Sequence, residues 1–339
     1  LVFSKGKNLK ITKIKNIIML KSLKLYNPKF GLKELLAIRS VLKSGVLTQG
    51  RKVAELEEKF AHYVGAKYAV AVNSCTSAIF LCLQYEKEFN NLKKVKIPSV
   101  TFVSVANMIV QSGLKLDFID EIDVGTCYYL RGTRVIDSAH TLWRNCYIAK
   151  SLMCFSFYPT KLLASCEGGM IATDDQKAAD WLRKARNNGI ERKGMFDWNY
   201  NVEFPGFKMT MNDIQAAILL VRLKKLDKYN LQRLKIVEYY RRHFWTTKSV
   251  SLHIFPIFSE CRNDLMEKLK KNGIQTSVHF KPIHLQPAYN QKKYSLPQSE
   301  HWGEHELSIP LHENLSLKDA RYIASTIQKN LICRPCHNL

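Results

Sequence analysis

The sequence has no apolar run long enough to span a bilayer, which argues against a transmembrane protein and leads us to expect a soluble one with no membrane partner. It has no secretory h-region either, since the apolar stretch at 17–20 is too short. Residues 1–24 hold seven lysines and no acid; a basic, disordered extension is expected there, with Met19 a candidate start. Acids are scarce throughout: 29 Asp and Glu face 52 Lys and Arg, for a formal net charge of +23. Such a charge suggests nucleic acid first, yet the bases are spread along the chain, no basic stripe alternates with aromatics, and no nucleic-acid module is recognisable. We therefore expect no specific nucleic-acid partner, and a basic surface that attracts anionic substrates such as nucleotide phosphates. The nine cysteines have no regular spacing, which implies reduced thiols in the cytoplasm rather than a disulfide framework. Cys333 and Cys336, followed by His337, have the spacing of c-type haem attachment or half a zinc site, but no second pair accompanies them. We read that motif as coincidence in a terminal tail and expect no metal.

What the sequence does contain is a globular composition, 46% hydrophobic over 339 residues, enough for a large domain and a smaller one. Periodicity predicts helices at 32–45 and 53–64, then a buried strand at 68–72. Strands at 95–98 and 114–119 follow, separated by a helix within 99–112. Strands alternating with helices argue for an α/β fold with a mainly parallel sheet, whose ligands gather at the carboxyl ends of the strands. Beyond it, 211–244 reads as one long connecting helix, 249–258 and 275–280 as strands, and 262–272 and 316–329 as helices. The domains expected are an extension at 1–24, a large domain at 25–220 and a small C-terminal domain at 221–339.

Three strand ends carry chemistry. After the strand at 68–72 come Asn73, Ser74, Cys75 and Thr76, and then a helical run; free first-turn amides and the Ser74 and Thr76 hydroxyls can converge on one anion, although plain N-capping is the commoner use of such residues. The strand at 133–136 ends in Asp137, and a carboxylate buried there needs a cationic partner. The apolar run 153–158 ends at Pro159, and Lys161 then precedes the Glu167-Gly168-Gly169 turn. A lysine leaving a buried strand into such a turn is partly desolvated, so its neutral, nucleophilic amine becomes reachable, as a Schiff base requires. On that stretch alone, a solvent-facing strand cap is the commoner arrangement. Taken together, a phosphate cradle, an acid and an amine are what pyridoxal phosphate needs.

The segments TQG (48–50), NSCTSA (73–78), PSVTFVSVANMIVQSG (98–113), IDSAH (136–140), SFYPTK (156–161) with EGG (167–169), GFKMTMNDIQAA (206–217) and GIQTSVHFKPIHLQPAY (273–289) occur in this order. Their order and spacing resemble the DegT/DnrJ/StrS family of sugar aminotransferases, from about residue 26 to 329. The resemblance implies the type I fold of pyridoxal-phosphate enzymes, a homodimer with shared active sites, glutamate as amino donor and a nucleotide-linked keto-sugar as acceptor. It makes Lys161 the catalytic lysine that holds the cofactor and shuttles the proton. Asp137 would pair with the ring nitrogen, His140 would lie near the phenolic oxygen, and Phe102 would stack on the ring. Ser156 and the turn of Ser74, Cys75 and Thr76 would hold the phosphate, Lys208 would reach the neighbouring subunit's phosphate, and His279 is a candidate substrate contact. Relatives that act as dehydratases replace the lysine, so Lys161 argues for amino transfer.

The sequence also departs from the family. Cys75 replaces a small residue, Thr210 an Asn or Arg, and Asn188 a frequent His. Only 16 residues separate Asp120 from Asp137, where the family carries a helix, strand and helix. A crossover can still be made, with 127–130 as the remnant turned back at Arg131-Gly132. A trimmed sheet with an exposed flank, or reduced stability, is expected. The alternative function is a non-catalytic or regulatory relative inactivated by that deletion.

Overall fold

The computed structural model describes residues 22–192, 199–247, 251–290 and 294–331; the motif at 333–337 and residues 1–21 of the basic extension lie outside the described residues. In chain order the elements are α1 (Leu32–Ser44), α2 (Arg51–Val64), β1 (Tyr68–Val72), α3 (Cys75–Asn90), β2 (Lys94–Pro98), α4 (Ser104–Gln111), β3 (Lys115–Ile119), β4 (Tyr128–Tyr129), β5 (Val135–Asp137), β6 (Leu152–Ser156) and β7 (Gly169–Thr173). There follow α5 (Gln176–Ala185), β8 (Ile190–Arg192), β9 (Tyr200–Val202), α6 (Asp213–Leu223), α7 (Leu226–Arg241), β10 (Phe255–Phe258), α8 (Arg262–Lys271), α9 (Pro297–His305), β11 (Glu306–Ile309) and α10 (Leu317–Asn330).

The central sheet has the order β1-β7-β6-β5-β4, parallel between β5 and β6 and antiparallel at the other pairings. β2 and β3 form a parallel pair. Lys96 of β2 exchanges two backbone hydrogen bonds, of 3.1 and 2.9 Å, with Arg131 just beyond β4, which carries the sheet across to that pair. The α/β architecture is therefore present, and its sheet is mixed. Following the directions through these pairings, the C-terminal ends of β1, β2, β5 and β6 and the starts of β4 and β7 all reach one edge.

Strands β1, β6 and β7 are apolar at successive positions because both faces are covered. In β1, Val70 and Val72 join a core with α3, α4 and α5, whereas Ala69 and Ala71 join a second core with α2 and α6. Cys154 and Phe155 divide in the same way in β6, and Phe60 packs edge-on against both Phe155 and Phe157. The helix starts are chemically marked: Ser74 accepts a hydrogen bond from Ser77 N, and Asn212 with Gln215 forms a capping box.

Three expectations change. The single connecting helix is two, because the chain turns tightly at Lys225 N, which donates to Arg222 O; α6 can then pack on α1 and α2 while α7 packs on α10. No strand forms at 275–280; only Ser277 bridges to Ser308, and Glu306 accepts the backbone N–H of His279. The extension ends before residue 24, since Leu23 is buried in the third core, with β10, β11, α7, α8 and α10, and bridges to Ile274.

The shortened segment leaves the flank bridged rather than open. Tyr128 and Tyr129 pair with Asp137 and Ile136 across a turn at Gly132, whose φ of +94° favours glycine.

A buried ionic cluster fixes α6 and α7. Glu313 bonds Arg222 at 2.9 Å and Arg233 at 2.7 Å, and Arg233 also donates to Leu162 O, next to Lys161. Burial raises the Glu313 pKa, but the two arginines bring it below the ordinary carboxylate value. We expect Glu313→Gln to lose about 3 kcal/mol in urea unfolding at neutral pH, because it leaves buried guanidinium charge unmatched. The folded-state pKa is depressed, so this stabilisation is present above the unfolded carboxylate pKa and is lost as pH falls through the folded value. The difference between variant and wild type should shrink in acid; a constant difference would contradict this account.

Candidate active site

At the shared strand edge lies a cavity of about 640 Å³. Its wall is supplied by consecutive strand ends: Ser74, Cys75 and Thr76 after β1, Thr101 and Phe102 after β2, Tyr128 at the start of β4, Asp137 and His140 after β5, Ser156 and Lys161 from β6 and its turn, and Gly168 before β7. Eight of the ten residues singled out from the sequence are in this list; His279 also lines the cavity, and Lys208 does not.

Lys161 is placed by the run that follows β6. Phe157 donates its N–H to Gly168 O and accepts from Ser165 N, and Lys161 N donates to Tyr158 O at 2.9 Å. The side chain is partly open to the cavity, but the cavity is walled by protein. Burial therefore pulls the Lys161 pKa down to about 8, opposed by attraction to Asp137. Asp137 is only 7% exposed. Its Oδ1 accepts from Ala139 N at 2.9 Å and its Oδ2 from the Tyr128 hydroxyl at 3.2 Å. Burial raises its pKa, and these two bonds and Lys161 act against that rise.

Ser74 caps α3, and the first-turn amides after it have no partner within the helix. β7 must pass directly beneath: a Cβ at Gly169 would lie 2.4 to 2.6 Å from Ser74 C, Ser74 O and Cys75 N. The second glycine of EGG is thus required by close backbone approach. Cys75 lines the cavity with its thiol pKa raised by burial.

The far wall comes from distant segments. His140 stacks on Phe280 (centroids 5.9 Å) and lies 4.9 Å from the His253 ring, and burial holds both imidazoles neutral. His279 has both ring nitrogens engaged: Nδ1 lies 2.8 Å from Ser308 Oγ and Nε2 lies 3.3 Å from the Tyr26 hydroxyl. The Ser308 hydroxyl donates to Glu306, whose pKa burial pushes up to about 8. Phe102, 56% exposed, stands at the rim with its ring 5.9 Å from Phe280. Lys208 is exposed, with Nζ 3.4 Å from Asn187 Oδ1. Asn188, one of the departures, has φ +62°, a conformation asparagine tolerates.

The sequence reading missed Tyr26, Tyr128, His253 and Glu306. Only Tyr128 had a local signal. Once the turn at Arg131-Gly132 and the strand ending at Asp137 are recognised, counting back across the hairpin pairs Tyr128 with Asp137.

A family model described as the DegT/DnrJ/EryC1/StrS aminotransferase family matches residues 29–129 and 143–328. This chain belongs to that family. The unmatched residues, 130–142, include Asp137 and His140, so the placement of those two rests on the geometry given above. Among curated relatives, the spore coat polysaccharide biosynthesis protein SpsC of Bacillus subtilis is 30% identical, over 89% of this chain and 95% of its own. Among solved structures, Helicobacter pylori PseC superposes with a TM-score of 0.82 at 24% identity, covering 92% of this chain and 99% of that one. S. venezuelae DesV does so at 0.77 and 23%, covering 89% and 95%. These likenesses show the fold of sugar aminotransferases. No helix among the described residues is long and apolar enough to cross a membrane. Among the described residues six cysteines are free, whereas Cys261 is disulfide-bonded, an exception to the reduced thiols expected.

A pKa near 8 leaves Lys161 roughly one-tenth neutral at pH 7, against less than about 0.1% for a solvent lysine. Reductive methylation of the protein without added cofactor, mapped by mass spectrometry, should modify Lys161 at a rate that is half-maximal near pH 8. Surface lysines should reach theirs above pH 10. A Lys161 profile matching the surface residues would refute this reading of its environment.

Proposed function

We propose that this chain is a pyridoxal-phosphate-dependent aminotransferase that moves an amino group from glutamate to a nucleotide-linked keto-sugar. The observation that carries this reading is Lys161 and Asp137 facing one cavity beside the N-terminus of α3. The residues fit the cofactor. Ser74, Thr76, Ser156 and the free amides of Cys75 and Thr76 would take its phosphate, in a turn kept open by the absence of a Cβ at Gly169. Asp137, an acceptor at the buried end, would take the ring nitrogen, Phe102 would cover a ring face, and neutral His140 would lie beside the ring. The bound cofactor supplies an electron sink that acidifies the C–H bond next to the transferred amine.

The chain's own part is positioning and proton transfer. Lys161, neutral in a useful fraction at pH 7, would hold the cofactor's aldehyde and then, once released by the donor, take and return the proton at the substrate carbon. Burial raises the Asp137 pKa, and the Ala139 and Tyr128 hydrogen bonds oppose that rise, so they would favour the carboxylate that keeps the ring nitrogen protonated. His140, His253, Phe280 and Phe102 line this wall.

The sugar substrate is supported by family membership and by the name of SpsC, a polysaccharide biosynthesis protein. An excess of 23 positive charges suits an anionic nucleotide sugar. A homodimer is supported by the apolar residues that α1 leaves uncovered, Leu32 at 69% and Leu35 at 62% exposure, and by Lys208 standing outside its own chain's cavity. Six free thiols favour a cytoplasmic location, against which the Cys261 disulfide stands.

Protein loaded with pyridoxal phosphate should show a visible absorbance band that glutamate bleaches, with one 2-oxoglutarate released per site. Lys161→Ala should lose the lysine-linked band and at least about 100-fold in turnover. A screen of keto-sugar nucleotides would then identify the acceptor. A band that survives in Lys161→Ala would displace the lysine assignment, and loaded protein inert to glutamate would favour the non-catalytic alternative.

A further inference from the structure

The shortened crossover places a residue against the acid of the site. Tyr128 opens β4 directly opposite Asp137, and its hydroxyl lies 3.2 Å from Asp137 Oδ2 and 2.7 Å from Thr101 Oγ1. The hairpin that brings it there is tightly specified: Leu130 N donates to Val135 O, Thr133 Oγ1 donates to Leu130 O, Val135 N donates to Thr133 Oγ1, and Gly132 takes φ +94°. On its outer side the same segment is fixed to β2 through Arg131 and Lys96. The Tyr128 ring packs on the core that contains Val95, Ile97 and Val135, so the phenol has little freedom to leave.

The directions of these hydrogen bonds follow from the acid. The phenol donates to Asp137 Oδ2, an oxygen that in the carboxylate form can only accept. The Thr101 hydroxyl then donates to the phenol oxygen, giving a chain from Thr101 through Tyr128 to Asp137. With Ala139 N on the other oxygen, both carboxylate oxygens are held by one donor each and retain acceptor capacity toward the cavity.

We propose that Tyr128 is a positioning residue that holds Asp137 as an oriented, ionised carboxylate for the ring nitrogen of the cofactor. This rests on the cofactor reading given above. It also gives the remnant of the shortened segment a function: Tyr128 supplies a hydrogen bond to the acid, and Arg131 maintains the sheet.

The test uses full-length protein freed of cofactor, titrated by tryptophan fluorescence with pyridoxal phosphate and with its 1-deaza isostere, in which carbon replaces the ring nitrogen. Tyr128→Phe should weaken pyridoxal phosphate binding about three- to tenfold and leave the affinity for the isostere within about twofold of wild type. Thr101→Val should act in the same sense, and Tyr128→Phe should add nothing in an Asp137→Asn background. Binding of the isostere reports that the variants are folded. Equal losses for both ligands would reduce Tyr128 to packing and overturn the proposal alone, as would unchanged binding of pyridoxal phosphate. Wild-type protein that takes up neither ligand would overturn the cofactor reading, and this proposal with it.

Discussion

The structure depends on placing one acid and one amine in a common, protein-walled cavity. Burial disfavours the charge on each, raising the Asp137 pKa and lowering that of Lys161 to about 8. Their attraction acts the other way on both, and the result is an amine that is roughly one-tenth neutral at pH 7 near a carboxylate whose ionised form the backbone and phenol hydrogen bonds favour. A solvent-exposed pair would give an ordinary ammonium and an ordinary carboxylate, with no nucleophile at neutral pH. A drier site without these donors would neutralise the acid. The useful state lies between, and the surrounding architecture maintains it.

Sheet topology makes this possible. β5 and β6 are parallel neighbours, with Asp137 paired to Cys154, so the residues that follow each strand emerge side by side. β7 returns antiparallel beside β6 and delivers Gly168 and Gly169 to the same edge, where the missing Cβ admits the Ser74–Cys75 backbone. Behind the lysine loop, Arg233 binds the Leu162 carbonyl while Glu313 ties it to Arg222. Movement of the lysine loop therefore requires breaking a buried, charge-assisted network.

Much of this was legible in the sequence because it is local. The strand-turn-helix around Ser74, the strand ending in Asp137, and the aromatic run before Lys161 each declare themselves within about a dozen residues. The helices observed at Leu32–Ser44 and Leu317–Asn330 were also legible, from their apolar periodicity. What could not be read depends on contacts between distant segments. Tyr26 and His279 are 253 positions apart, yet meet at 3.3 Å. The region 275–280 has the composition of a strand, but beyond the Ser277–Ser308 bridge the N–H and C=O of His279 are claimed by the Glu306 carboxylate and the Trp302 indole, so the ladder does not continue. The run 211–244 is helical throughout in pattern, and what divides it is the need of α6 and α7 to pack on different partners.

The shortened crossover shows which parts of this architecture are replaceable. A sheet strand contributes a hydrogen-bonded ladder and two apolar faces, and both can be supplied by whatever chain lies between the neighbours. Here two residues of β4 and one Lys96–Arg131 exchange span the interval between β5 and β2. The site itself is built almost wholly from strand ends and the turns beyond them. Loss of a strand is then tolerable if the flanking ends keep their positions, whereas a shift in the relative register of β5 and β6 would not be. A one-residue slip would reverse every side chain of β5, turning Asp137 away from the lysine and into an apolar core.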